Sequence, residues 1–203
     1  MAAIEVENVA RRYGRRWALA GVSFRAEAGS VLMVAGRNGA GKTTLLRVLA
    51  TAIRPDAGTA RVGGFDVVHE REDVRVTTAL LSHASYLYDA LTARENLAVR
   101  GASDIDALLD RVGLLARAND AVATFSAGMR KRLSFARLLM QNAKIVLLDE
   151  PYGQLDPEGF ALIDDSVRAM RSRGVTVVIA THQLEHVTNL ADHAITLEAG
   201  RIV

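Results

Sequence analysis

Apolar and charged residues alternate over residues 4–9 and again over 17–25, the period of two that marks half-buried strands. Tyr13-Gly14-Arg15-Arg16 forms the turn between them. Val31–Ala35 is a continuous apolar run of strand length that leads straight into a glycine-rich turn. Residues 42–52 then take helical spacing, ended by Pro55 and the Asp56-Ala57-Gly58 turn. Further strands are expected near 59–62 and 76–81.

The pattern changes over residues 86–142, which read as helical. Thr92 and Glu95 have capping-box spacing, Ser103 or Asp104 can cap a second helix, and 128–140 is an amphipathic third. From Lys144 strands return: 145–148, then a helix over 158–173, a strand over 175–180, a helix over 183–190 and a strand over 194–197. Strands alternating with helices imply an α/β fold with a mostly parallel sheet covered on both faces.

Composition narrows this picture without redirecting it. At 203 residues, half of them hydrophobic and 24% charged, the chain can bury the core of one domain. The net charge of +2 fits a solvated surface of mixed sign, so no nucleic-acid partner is expected. The absence of cysteine excludes thiolate chemistry and disulfides. No signal peptide is visible in the alternating N-terminal segment. No uncharged apolar stretch reaches the roughly 18 residues that span a bilayer, so a membrane role would have to come through a partner.

Gly36-Arg37-Asn38-Gly39-Ala40-Gly41-Lys42-Thr43 matches the G-x-x-x-x-G-K-[ST] phosphate loop, with a strand before it and a helix after it. Its glycines let the backbone wrap a triphosphate, whose charge meets successive N–H groups and a helix N-terminus. Lys42 would reach the β- and γ-phosphates of ATP, and Thr43 would ligate Mg²⁺. Thr44, the next residue of the helix, completes the run of candidate nucleotide contacts. The strand at 145–148 ends in Asp149 and Glu150, which places two carboxylates at a strand end, where open α/β sheets bind ligands. Asp149 would hold Mg²⁺ directly or through water, and Glu150 would polarise the water that attacks the γ-phosphate. His182 follows another strand, where a neutral imidazole could bond the γ-phosphate and order the attacking water.

The segment Phe125-Ser126-Ala127-Gly128-Met129 opens a basic helix. With Tyr13, residues 36–43, Asp149, Glu150, Asp156 and His182 it makes the chain resemble ABC-transporter nucleotide-binding domains, over essentially its whole length. That resemblance implies one ABC ATPase domain over 1–203: a P-loop core, an N-terminal antiparallel β subdomain, and a helical subdomain at about 86–142. It implies a head-to-tail homodimer that sandwiches ATP, with Ser126, Ala127 and Gly128 of one protomer facing the phosphate loop of the other. It also makes Tyr13, otherwise a turn or core aromatic, the residue that stacks on adenine, and Asp156 part of the contact between protomers. Ala127 and Met129 replace the family's usual Gly and Gln, and Gly153 stands where Ser or Thr is common. No Gln falls where the family has its Gln-loop; His83 is the substitute there, or merely a loop residue.

The implied function is a Mg²⁺-dependent ATPase, the motor subunit of a transporter. It would be cytoplasmic, held on the inner face of the membrane by integral permease subunits. The stretch 83–97 resembles ATP-binding subunits of bacterial heme exporters of cytochrome c maturation. A soluble ABC ATPase outside transport and a small P-loop kinase are the alternatives. The kinase would need neither Ser126-Ala127-Gly128 nor a Glu directly after Asp149.

Overall fold

The computed structural model describes residues 1–82 and 85–203, which form two compact units. The first comprises Met1–Ser82, Ala143–Pro151 and Ser166–Val203. It holds two sheets. Strands β1 (Ala2–Tyr13) and β2 (Arg16–Glu27) pair antiparallel around a Gly14-Arg15 turn. With β4 (Ala57–Val62) and β5 (Phe65–Asp66) they make a four-stranded sheet in the order β2-β1-β4-β5. The inward residues Ile4, Val6, Val9, Leu19 and Val22 are buried, as the alternation requires.

The second sheet has six strands. These are β3 (Val31–Ala35), β6 (Thr78–Leu81), β7 (Ile145–Asp149), β8 (Thr176–Thr181), β9 (His193–Glu198) and β10 (Arg201–Ile202), in the order β10-β9-β3-β8-β7-β6. All neighbours run parallel except β10. Every residue of β3, β7 and β8 is buried, which is why these strands are apolar along their length instead of alternating. The parallel arrangement brings the C-terminal ends of β3, β7 and β8 to one edge, and the chemistry-bearing residues follow those ends.

Helix α1 (Lys42–Leu49) buries Leu45, Leu46, Val48 and Leu49 in the same core as the antiparallel sheet. It ends three residues before the expected Ala52. Thr51 takes a left-handed φ of 58°, Ala52 N–H donates to Arg47 O and Thr51 N–H to Val48 O, which is a Schellman stop. Glycine usually supplies that conformation; here Arg75 and Arg71 bond the Thr51 hydroxyl and carbonyl and hold it. Helix α2 (Arg71–Thr77) occupies the start of the strand expected at 76–81. Val74 packs inside and Val76 faces out, so the helical period wins there.

The second unit contains the described residues of 83–142 with Tyr152–Asp165. Its helices α3 (Ala93–Ala98), α4 (Ile105–Arg111) and α5 (Ala127–Leu139) enclose a separate core of Leu97, Leu109, Val112, Val122, Phe125 and Leu133. Asp104, not Ser103, caps α4. The first turns of α6 (Pro157–Ser172) belong to this unit, while α7 (Leu184–Val187), in the first, is a single turn in place of the helix expected over 183–190. The two-residue strands β5 and β10 were not expected from the sequence. Among the described residues no helix is long and apolar enough to cross a membrane.

The Thr92 capping box at α3 is complete: Glu95 N–H donates to Thr92 Oγ1, and Thr92 N–H and hydroxyl donate to Glu95 Oε2. The backbone and hydroxyl of Thr92 thereby hold the Glu95 carboxyl below its ordinary 4.5. A depressed acid contributes stability above that value and loses it as pH falls through the lower folded one. Thr92→Ala is expected to destabilise the helical unit by about 1 kcal/mol, read by urea denaturation at neutral pH. The deficit should shrink in acid, where the wild type loses the box as well.

Candidate functional site

The phosphate loop lies between β3 and α1. Gly36, Gly39 and Gly41 have φ of 148°, 81° and 114°, which side chains avoid. A Cβ on Gly36 would stand 2.4 Å from Leu197 O, and one on Gly41 2.3 Å from Ala18 O. The loop is therefore pressed against β9 and β2 from behind, leaving its other side to a ligand. Gly41 gives α1 no side-chain cap, so the first-turn N–H groups of Lys42, Thr43 and Thr44 keep the donors that an anion would accept.

Lys42 is buried. Its ammonium donates to Gly36 O at 2.7 Å and Arg37 O at 3.3 Å and lies 3.3 Å from Glu150 Oε1. The Thr43 hydroxyl donates to Asp149 Oδ1 at 3.1 Å, and Asp149 is 2% exposed at the end of β7. A hydroxyl and a carboxylate so placed are the hard oxygen donors that Mg²⁺ takes alongside substrate phosphates. The residues present fit a Mg²⁺–triphosphate.

Glu150 follows Asp149 with a left-handed φ of 48° and its N–H on Ala180 O at 2.8 Å. That conformation strains a residue with a Cβ. It turns the carboxylate toward the ends of β3 and β8. Glu150 Oε2 accepts from Thr181 Oγ1 at 3.1 Å and meets His182 Nδ1 at 2.9 Å. Burial pushes the Glu150 carboxyl up, but the His182 hydrogen bond and the Lys42 charge outweigh it and hold it below 4.5. The carboxylate is thus ionised at neutral pH, and His182 Nδ1 serves as donor to it.

The sequence placed Lys42, Thr43, Asp149, Glu150 and His182 at separate strand ends; the structure brings them into one cluster. Thr181 was missed. The signal was there, a hydroxyl directly before His182 at the end of a buried strand. Tyr13 stands at the end of β1, 47% exposed, with the Arg11 guanidinium 5.2 Å from its ring centroid. A cavity of about 460 Å³ beside the loop is lined by Arg16, Gly36, Arg37, Asn38, Gly39, Ala40 and Thr196, Leu197, Glu198, Ala199.

The remaining candidates lie in the second unit. Ser126 caps α5, its Oγ accepting from Met129 N–H at 3.2 Å. A hydroxyl that accepts still has its own proton to donate. Ala127 opens the helix, and a Cβ on Gly128 would stand 2.8 Å from Gln154 O, so the first turn of α5 packs closely on Gln154. Asp156 accepts from Gly159 N–H at 2.9 Å, capping α6, and pairs with Arg132. Those partners, with Gly159 N–H first, hold its carboxyl below 3.8. His83 lies outside the described residues.

Residues 19–153 match the profile of the family described as ABC transporter. Over 211 residues the chain is 41% identical to the daunorubicin resistance ATP-binding protein DrrA3 of Streptomyces coeruleorubidus, covering 99% of this chain and 67% of that protein. It is 38% identical over 210 residues to the aliphatic sulfonates import ATP-binding protein SsuB of Burkholderia thailandensis, covering 99% and 60%. The chain therefore spans about two thirds or less of the length of these curated relatives. Its fold superposes on a bacterial Atm1-family ABC exporter with ATP bound at a TM-score of 0.89 and 27% identity, over all of this chain and 38% of that one. A small kinase is thereby set aside: the chain belongs to the ABC transporter family, as an ATP-binding domain.

Proposed function

We propose that this chain is the Mg²⁺-dependent ATPase subunit of a membrane transporter, its 203 residues acting as one motor domain on the cytoplasmic face. The observation that carries this reading is the cluster at three strand ends: Lys42 over the phosphate loop, Thr43 on Asp149, and Glu150 held by Thr181 and His182. In this reading residues 36–44 bind the triphosphate through backbone N–H groups, and Lys42 exchanges its carbonyl partners for phosphate oxygens. Thr43 and Asp149 hold Mg²⁺, which supplies neutralisation of phosphate charge. Although burial pushes its carboxyl up, Glu150 stays ionised through the His182 hydrogen bond and the Lys42 charge. It orients and polarises water by accepting a hydrogen bond from it. His182 positions Glu150. While Nδ1 donates to the carboxylate, a neutral ring offers only a lone pair at Nε2, so a simultaneous donor bond to the γ-phosphate needs the imidazolium.

Tyr13 carries the adenine. Ser126, Ala127 and Gly128 act on the nucleotide of a second copy, with the Ser126 proton free for a phosphate oxygen, and Asp156 steadies the loop on which that segment packs. Closure of two copies on ATP, and reopening after hydrolysis, drives integral permease subunits. Heme export for cytochrome c maturation is a narrower form of this reading. It has behind it the resemblance of 83–97, the short length, the Ser126-Ala127-Gly128 form of the signature and Thr181-His182-Gln183, whereas the relatives named above concern daunorubicin resistance and sulfonate import.

The test is to purify the chain from its native membranes in mild detergent. The expected result is a complex with a multi-spanning protein in which ATP turnover exceeds that of the isolated chain and stops with EDTA. A chain that hydrolyses ATP equally well alone, and never fractionates with membranes, supports the soluble alternative.

A further inference from the structure

We infer that Arg16 is a further nucleotide-binding residue, its guanidinium reading the ribose–α-phosphate segment between the base and the phosphate loop. This rests on the nucleotide reading above and adds a contact that neither the phosphate-loop pattern nor the strand-end acids supply.

Arg16 is the cross-strand partner of Tyr13 in the β1–β2 hairpin, so the two side chains rise from the same face. Two residues on, the Ala18 carbonyl is the atom that a Cβ on Gly41 would strike at 2.3 Å, so this part of β2 lies against the phosphate loop. Arg16 thus adjoins Tyr13 across the hairpin and the phosphate loop on its other side. Its guanidinium reaches the loop: Arg16 Nη2 stands 3.5 Å from where a Cβ on Gly39 would be. It also lines the cavity beside the loop.

The charges around it differ from those of its neighbours. Arg11 is paired with Asp56 and lies on the Tyr13 ring, and Arg12 lies over Trp17 on the opposite face. Glu198 lines the same cavity as Arg16 without pairing with it, and the Arg16 side chain forms no ion pair or hydrogen bond among the described residues. An unneutralised guanidinium fork beside a backbone anion cradle suits a phosphate diester-like oxygen pair. Because the α-phosphate is common to ATP and ADP, the contact serves both, and it adds affinity without touching the bond that breaks.

Isothermal titration with ATP and with ADP, at low and at moderate salt, tests this on the whole chain. Arg16→Ala is expected to raise both dissociation constants by the same factor, about tenfold. The salt dependence of binding should flatten, and KM should rise while kcat stays within about twofold. Arg16→Lys should recover part of the affinity, since the charge returns without the fork. Arg15→Ala, an exposed neighbour in the turn, should bind as wild type. Unchanged affinity in Arg16→Ala overturns the inference, as does a loss confined to ATP, which would move the contact to the γ-phosphate. Failure of the nucleotide reading itself looks different: the wild type then binds neither nucleotide, or Lys42→Ala binds as well as wild type.

Discussion

Lys42→Ala should lose ATP binding, with the dissociation constant rising at least roughly a hundredfold. The ammonium is nearly inaccessible and sits among three acceptors, Gly36 O, Arg37 O and Glu150 Oε1. A triphosphate entering the loop replaces those partners with better ones, because its oxygens carry full charge and the site is shielded from water. Truncation removes that gain and leaves two carbonyls and a carboxylate pointing at the place where the anion must go. The Glu150 carboxyl also loses a nearby cation and moves up toward its ordinary range. Lys42→Arg is the informative companion: it keeps the charge but brings a bulkier fork into a buried slot, and should rescue little. Titration calorimetry reads the affinity, and a thermal melt without nucleotide shows whether the loop still folds. Wild-type affinity in a folded Lys42→Ala protein would refute the phosphate-loop assignment.

The legible parts of this molecule were those fixed by short-range physics. The strand over Val31–Ala35 was read to its last residue because burial on both faces leaves an unbroken apolar run ending at a glycine. The phosphate loop was legible because the left-handed backbone at Gly36, Gly39 and Gly41 needs glycine at fixed spacing. The end of α1 was misread because Thr51, not glycine, takes the left-handed stop, and two arginines 20 and 24 residues downstream hold it there. The strand expected from Val76 starts at Thr78 instead, because Val74 turns inward and Val76 outward on a helical period. In the site each acid and base was found alone. The bond between Glu150 and His182 joins residues 32 apart and follows from strand order, which no local pattern carries. Asp156 was read for a partner protomer; its helix-capping role lay in the plain sequence Asp156-Pro157, a cap followed by proline at the first helical position.

Glu150→Gln is expected to bind ATP as tightly as wild type while kcat falls by about a hundredfold or more. The substitution keeps the shape of the side chain and removes its charge. Water in the site then meets an amide that accepts far more weakly than a carboxylate, so its polarisation is lost while the phosphate cradle stays intact. The local bonds must also rearrange. The carboxylate takes protons from Thr181 and His182 on one oxygen and faces the Lys42 ammonium with the other. An amide can satisfy only one side as acceptor. If its oxygen faces Lys42, its NH₂ meets His182 Nδ1, and the ring must shift its proton to Nε2. Histidine NMR should therefore show a tautomer change at His182 on the same variant that stops turnover. With hydrolysis blocked and ATP saturating, closed dimers should accumulate and elute at twice the monomer mass. Normal turnover in this variant would remove Glu150 from the water-polarising role. Blocked turnover without a dimer would leave that role standing and overturn the head-to-tail sandwich, so the two halves of the mechanism fail separately.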